Sequence, residues 1–347
     1  MIYIFVFLGE FGYELLNWQG VIRKFSDTLR ENDKIVVVSR KGVALLYETA
    51  DLYIDLSEIE LYSRSIASGY RANDPEIKIY RDYDRYSKRR FTNGVYSIRN
   101  MRYERSMKRQ IQSYVEACVN HTFGRSSSLY YVFSDRYTVL HGLRFGRKHR
   151  DPHDIYAKLD LANNRYRKLI PDSEHSKNIE KRFGISREEN YILCQMGERS
   201  IVRRSKEACH YEDVIQEIAK KRRVVLLDFS TGRNRDSGSG FDDIVGCKRI
   251  VCHGLEEQSV WIADASCCVF FTEGDFRSHN YLPPFFGKNV YSVADSSVYG
   301  LPTTPIDFWN RNVFAFGGQI IPVYSDRLSE QEYSRQFYDA VFSESAG

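Results

Sequence analysis

No stretch of these 347 residues approaches the roughly 18–20 consecutive apolar residues that a membrane-spanning helix needs. The longest apolar run near the start, Ile2 to Leu8, has no basic leader and no small-residue cleavage site, so it reads as a strand and not as a secretory signal. Cysteine is sparse. The seven cysteines lack the paired spacings of a metal site: Cys267 and Cys268 are adjacent, and Cys247 and Cys252 are five apart. An odd number without a framework excludes a disulfide scaffold and fits reduced thiols in a cytoplasmic protein. His141, His149 and His153 share one polar region, but no third ligand stands at metal spacing, so no metal is expected. There is no internal repeat and no long low-complexity tract. A net charge of only +4 excludes a molecule that is polybasic throughout.

What is present is enough apolar material for real cores, 42% hydrophobic with 25 Tyr and 21 Phe, in a length that favours two domains. The first twenty-five residues organise the chain. Ile2–Leu8 suits a strand buried on both faces of a parallel sheet. Leu15, Trp18, Ile22, Phe25 and Leu29 recur at helical spacing. Between strand and helix lies Gly9-Glu10-Phe11-Gly12-Tyr13, followed by Glu14. Two glycines are one short of the dinucleotide fingerprint, so this is not an NAD turn. The turn still carries two carboxylates, Glu10 and Glu14, at the carboxyl end of the first strand, where open α/β sheets place their chemistry.

Strands are predicted at Lys34–Ser39, Leu52–Leu56 and Leu129–Phe133, a short helix at Gly42–Tyr47, and a helix from about Ser97 to Val119 with Met101, Met107, Ile111 and Val115 inward. Residues 61–115 hold 13 Lys/Arg against 5 Asp/Glu, interleaved with tyrosines and densest at Lys88-Arg89-Arg90. A phosphate-rich partner such as nucleic acid, a wall for an anionic glycan or small molecule, and a plain solvated surface all fit that pattern. The polar stretch 171–189, opening on Pro171, is the expected linker. From residue 190 the pattern restarts: strands at Tyr191–Met196, Arg223–Phe229, Arg249–Cys252, Cys267–Phe271 and Asn289–Val293 alternate with helices near 210–221, 255–265 and 279–286. At the end of the chain Ser329-Glu330-Gln331-Glu332 is a capping-box pattern, and Tyr333, Phe337 and Val341 mark a last helix.

The expected fold is therefore α/β, with two Rossmann-like doubly wound parallel-sheet domains facing a cleft: 1–170, a linker at 171–189, 190–325, and a terminal helix in 326–347. Three strand-end loops qualify for chemistry. The first is Gly9–Glu14. The second carries Arg199, Arg203 and Arg204, whose guanidinium forks suit phosphate oxygens. The third, Thr272 to His279, is a glycine turn at a helix start. The second and third together read as a diphosphate cradle; an exposed basic turn and an ordinary cap are the plain alternatives.

The opening GEFGYEL with Trp18-Gln19-Gly20 and Arg23 resembles bacterial and phage glycosyltransferase-like proteins. Leu255-Glu-Glu-Gln258 through Ala265, Thr272-Glu273-Gly274 and Leu282–Val290 look like the distal segment of GT-B-fold glycosyltransferases, with Asn289 where a proline is usual. The resemblance implies a transfer of sugar from a nucleotide-sugar co-substrate to a hydroxyl acceptor, with the donor on the second domain and the last helix returning to the first. It implies that Arg199, Arg203 and Arg204 hold the diphosphate, that Glu273, Gly274, Ser278 and His279 complete that site, that His253 and Gly254 line the base, and that Glu257 reaches the ribose. Glu10 would be the general base and Glu14 its reserve, with Gly9, Phe11, Gly12, Tyr13, Lys88, Arg89 and Arg90 on the acceptor side. No metal and no further cofactor are implied. Transfer to modified DNA or another nucleic acid, binding of nucleotide or glycan without catalysis, and nucleotide-sugar epimerisation are the alternatives.

Overall fold

The computed structural model describes residues 1–7, 14–59, 94–124, 128–133, 165–171, 190–196, 208–229, 246–252, 255–271, 278–294 and 316–344, with scattered positions at 174–184, 244 and 306–314. They fall into two compact units, one holding the described residues up to 133 and the other those from 165 onward. Each unit is built on one sheet whose strands all run parallel.

In the first unit β1 (Ile2–Val6), β2 (Lys34–Ser39), β3 (Leu52–Asp55) and β4 (Leu129–Phe133) lie in the order β3-β2-β1-β4. A π-helical turn, Glu14–Trp18, leads into α1 (Gln19–Ser26), and α2 spans Gly94–Phe123. The strand's unbroken apolar run has a simple cause: both its faces are covered. Ile2, Ile4 and Val6 share a core with Met107, Ile111, Val115 and Val119 of α2. Tyr3, Phe5 and Phe7 turn the other way. Tyr3 meets Phe25 with ring centroids 4.9 Å apart, and Phe5 and Phe7 meet Trp18 at 6.3 and 5.4 Å. Alternating side chains thus serve two helices. The helix expected at Gly42–Tyr47 is only a three-residue 3-10 turn, Ala44–Leu46. Of the basic block, residues 60–93 with Lys88, Arg89 and Arg90 lie outside the described residues; within α2, Met107, Ile111 and Val115 are buried as predicted.

In the second unit β5 (Tyr191–Met196), β6 (Arg223–Phe229), β7 (Cys247–Cys252), β8 (Cys267–Phe271), β9 (Val290–Ala294) and β10 (Ile320–Tyr324) take the order β10-β9-β8-β5-β6-β7. The helices are α3 (Ala208–Ala219), α4 (Leu255–Asp264), α5 (Ser278–Phe285) and α6 (Gln331–Ser343). Ile192, Cys194, Val269 and Phe271 form one face of the sheet with Val214, Ile215 and Ile218 of α3 and Phe337 and Val341 of α6. Helices α4 and α5 pack against β7 and against β9 and β10. The six described cysteines are all free thiols. Burial pushes Cys194 and Cys268 well above the usual thiol range, Cys267 up to about 12 and Cys247 up to about 11, which makes them inert core groups. Among the described residues no helix is long and apolar enough to cross a membrane.

Further features differ from the sequence reading. Strand β10 was not predicted; Pro322 interrupts its apolar run, and proline is tolerated here because β10 closes the sheet as an edge. Residues 165–171 belong with the second unit: Leu169 is buried and its N–H donates to the Phe285 carbonyl at 2.7 Å, so the boundary placed at 170 moves upstream. In the expected linker, Ser176 and Ile179 are buried within helical turns. The capping box is not formed: Glu330 is the N-cap of α6 without a side-chain bond, and Ser329 Oγ instead lies 3.5 Å from the Asp326 carbonyl.

Helix α6 exists because Tyr333, Phe337 and Val341 make an apolar stripe, as predicted. It packs against the sheet of its own unit. The Phe337 ring lies 5.9 Å from that of Tyr291. Glu344 accepts hydrogen bonds from Asn289 Nδ2 at 2.6 Å and from the Tyr291 hydroxyl at 2.7 Å, while Asn289 Oδ1 accepts from the Gln319 N–H at 2.9 Å. Asn289, where the resemblance expects a proline, is thus a clamp joining β9, the approach to β10 and the end of α6.

Gly287 follows α5 with a positive φ of 73°, the conformation glycine commonly supplies after a helix. Gly318 is needed for a different reason. A Cβ there would sit 2.7 Å from the backbone N and O of Lys288 and 2.8 Å from the Pro284 Cα. Rigid backbone on that side cannot yield, so Gly318→Ala should destabilise the chain by about 1–3 kcal/mol, the usual cost of overpacking. Denaturant unfolding followed by circular dichroism checks this; an unchanged midpoint would show that the strand can shift.

Candidate functional site

Strand order decides where each sheet can hold a ligand. From β1 the chain steps outward to β2 and β3, then returns to the opposite side of β1 at β4. From β5 it steps to β6 and β7, then returns to the opposite side of β5 at β8. Loops leaving the carboxyl ends of two such neighbouring strands diverge and leave a crevice, the usual ligand position in open α/β sheets. In the first unit this point lies at the end of β1, where the segment with Glu10 begins. In the second it lies between β5 and β8, which are paired in register from Ile192 and Cys267 to Met196 and Phe271. The segment with Arg199, Arg203 and Arg204 follows β5, and the segment with Glu273 and Gly274 follows β8. Two loops singled out separately in the sequence therefore leave adjacent strands.

Most of the predicted site residues lie outside the described residues: Gly9, Glu10, Phe11, Gly12, Tyr13, Arg199, Arg203, Arg204, His253, Gly254, Glu273 and Gly274. Ser278 and His279 open α5. Glu257 is half-buried in the first turn of α4. The next residue, Gln258, is buried and donates from Nε2 to Gln195 Oε1 of β5 at 3.3 Å. That bond fixes the start of α4 over the carboxyl end of β5. Asn280, in the first turn of α5, is also buried and donates from Nδ2 to Ser292 Oγ of β9 at 2.7 Å. Polar side chains buried at these places must be paired, and here each pair ties a helix N-terminus to a strand. The sequence reading missed both pairs. The only signal was a Gln and a Ser inside otherwise apolar strands.

At the end of β1 the described carboxylate is Glu14, and it is fully buried. Its Oε1 accepts hydrogen bonds from the Ser39 hydroxyl and, at 2.7 Å, from the Tyr47 hydroxyl. Its Oε2 lies 2.9 Å from Arg40 Nε, by distance an ion pair rather than an aligned hydrogen bond. Burial, with the Glu14 carboxylate beside it, pushes the Tyr47 phenol well above its usual range, so Tyr47 stays a donor. The Tyr53 hydroxyl donates in turn to the Arg40 carbonyl. One turn on, Arg23 is buried and donates to Gln19 Oε1 at 2.5 Å and to Glu48 Oε2 at 3.4 Å. The motif residues of the opening stretch thus form a packed polar lining. Glu14 is taken up inside it. Ser39, Arg40 and Tyr47 were missed in the sequence because they stand 25 to 33 residues from Glu14.

By sequence the chain matches no protein-family model and no curated protein. Among solved structures it is similar to the ADP-heptose lipopolysaccharide heptosyltransferase II of E. coli, with a TM-score of 0.50 and 10% identity over 98% of this chain and 100% of that one. It is similar to the same degree to a glycosyl transferase family 9 structure from Veillonella parvula, with a TM-score of 0.50 and 10% identity over 99% and 97%. The UDP-GlcNAc 2-epimerase of Neisseria meningitidis bound to UDP-GlcNAc is a looser match, with a TM-score of 0.42 and 12% identity over 100% and 93%. At such identities the likeness is one of fold. The chain has the GT-B-like architecture of two parallel-sheet α/β domains that its sequence led us to expect.

The lining of Glu14 makes a direct prediction. Ser39→Ala removes one neutral donor to a buried carboxylate and should cost about 1.5–3 kcal/mol. Urea unfolding should show a lower midpoint with an unchanged slope. A midpoint equal to that of the parent protein would mean that Glu14 does not depend on Ser39.

Proposed function

We propose that this protein is a glycosyltransferase that moves a sugar from a nucleotide-sugar donor to a hydroxyl acceptor. The observation that carries the reading is the pairing of β5 with β8 at the switch point of the second sheet, which starts the triple-arginine segment and the glycine segment side by side. In this reading Arg199, Arg203 and Arg204 grip the diphosphate, and Glu273, Gly274, Ser278 and His279 complete its seat at the start of α5. His253 and Gly254 line the base, and Glu257 takes the ribose hydroxyls. Guanidinium groups at the leaving diphosphate neutralise the charge that develops as the glycosidic bond breaks. Glu10 accepts the proton of the acceptor hydroxyl, and Lys88, Arg89 and Arg90 serve the acceptor. The chemistry asks for no metal in this scheme.

Calorimetry with UDP, GDP, CMP, ADP and dTDP sugars tests the donor half. One of them should bind, and Arg203→Ala with Arg204→Ala should weaken it by roughly 1.5–3 kcal/mol per charged hydrogen bond lost; unchanged affinity would remove this segment from the site. For the acceptor half, Glu10→Gln should lower kcat by roughly 10²–10⁴-fold, the usual share of a general base, while donor affinity holds. Turnover of the nucleotide-sugar without any acceptor would make the protein an epimerase, and binding without turnover a non-catalytic receptor.

A further inference from the structure

The chain leaves the first sheet at Phe7 and is next described at Glu14; both flanking residues are almost fully buried. Phe7 is held by its N–H, which donates to the Val38 carbonyl at 2.9 Å, and by its ring, 5.4 Å from that of Trp18. Glu14 is held by Ser39, Tyr47 and Arg40. One side chain touches both residues: the Arg40 guanidinium lies 2.9 Å from Glu14 Oε2 and, over the Phe7 ring, 5.9 Å from its centroid. The same stretch opens with the π-helical turn Glu14–Trp18, a rare backbone form that concentrates at functional positions.

A buried ion pair is a poor device for stability, because desolvation takes back most of the Coulomb attraction and apolar residues of equal volume do as well. What such a pair supplies is a fixed geometry, since neither charge tolerates separation from the other. We infer that Glu14 and Arg40 are positioning residues that staple the two ends of the six-residue connection 8–13, and that Glu14 itself accepts no substrate proton. Arg40 bridges the end of β1 and the first helical turn from its place after β2, while Ser39 and Tyr47 keep the Glu14 carboxylate turned toward it. The staple rests on the transferase reading only for what the connection carries, the base Glu10.

The test uses the full chain with Glu14→Gln, Arg40→Gln and the two together. Gln at position 14 keeps an acceptor for Ser39 and Tyr47 but loses the charge. Hydrogen exchange of peptides covering 8–13 should speed up about tenfold in each single variant, the scale of one lost local contact. The double variant should be no faster than either, because both remove the same staple. Exchange in β5 and β9 should not change. Exchange at 8–13 equal to that of the parent protein, or raised evenly across the first unit, would overturn the inference. Should Glu14→Gln fail to fold, Arg40→Lys keeps the charge, loses the planar group over Phe7 and should show the same local change. In turnover, Glu14→Gln should lower kcat about tenfold with donor KM unchanged and the acid limb of the pH profile intact; a loss of roughly 10²–10⁴-fold with that limb gone, the mark of a general base, would make Glu14 catalytic and overturn the assignment. If the parent protein turns over no nucleotide-sugar, the transferase reading fails, and the exchange data still decide the staple.

Discussion

Parallel pairing on both edges of β1 and of β5 is the constraint from which the rest of the structure follows. A parallel neighbour cannot be reached by a tight turn, so each strand must be followed by a crossover that covers a face of the sheet. Covered faces demand apolar side chains in both directions, which is what Ile2–Val6 and Tyr191–Met196 supply. In each sheet the first strand takes partners from both directions of travel, β1 between β2 and β4 and β5 between β6 and β8, so the chain reverses its course across the sheet there. Both reversals put their loops at the carboxyl end. Position of the candidate site and stability of the core therefore come from one cause.

The carboxyl ends then pose a problem of their own. The segments that leave these ends are rich in polar residues, and their roots lie in a dry core. The protein answers with closed polar pairs: Gln195 with Gln258, Asn280 with Ser292, and Glu14 with Ser39, Tyr47 and Arg40. Each joins a helix start to a strand. Satisfied in this way, buried polar groups cost little and orient strongly. The Asn289–Glu344 clamp repeats the device at the opposite end of the second sheet, where it secures α6.

Much of the fold was legible in the sequence because β1 to β9 are apolar on both faces or bounded by sharp turn residues. Strand β10 was not, since Pro322 makes its run read as a loop, and only the sheet's edge explains why proline is accepted. The stripe Tyr333–Phe337–Val341 announced a buried helix but could not say against what; an apolar face carries no address. For the same reason the motif at Ser329 suggested a cap that the backbone does not form. In the candidate site, the loops after β5 and β8 were recognisable one at a time from their arginines and glycine. Their adjacency needed the strand order, which pairs residues some 75 positions apart, as Ile192 with Cys267. Glu14 looked like a free carboxylate because its partners come from a different strand and turn.

The central claim is that the donor's diphosphate sits where β5 and β8 end. A crystal structure of the full chain soaked with the nucleoside diphosphate that binds best tests it most directly. The account predicts the phosphates within hydrogen-bond distance of Arg203 or Arg204 and of the first turn of α5. Phosphates bound anywhere else, with those residues free of contact, would contradict it.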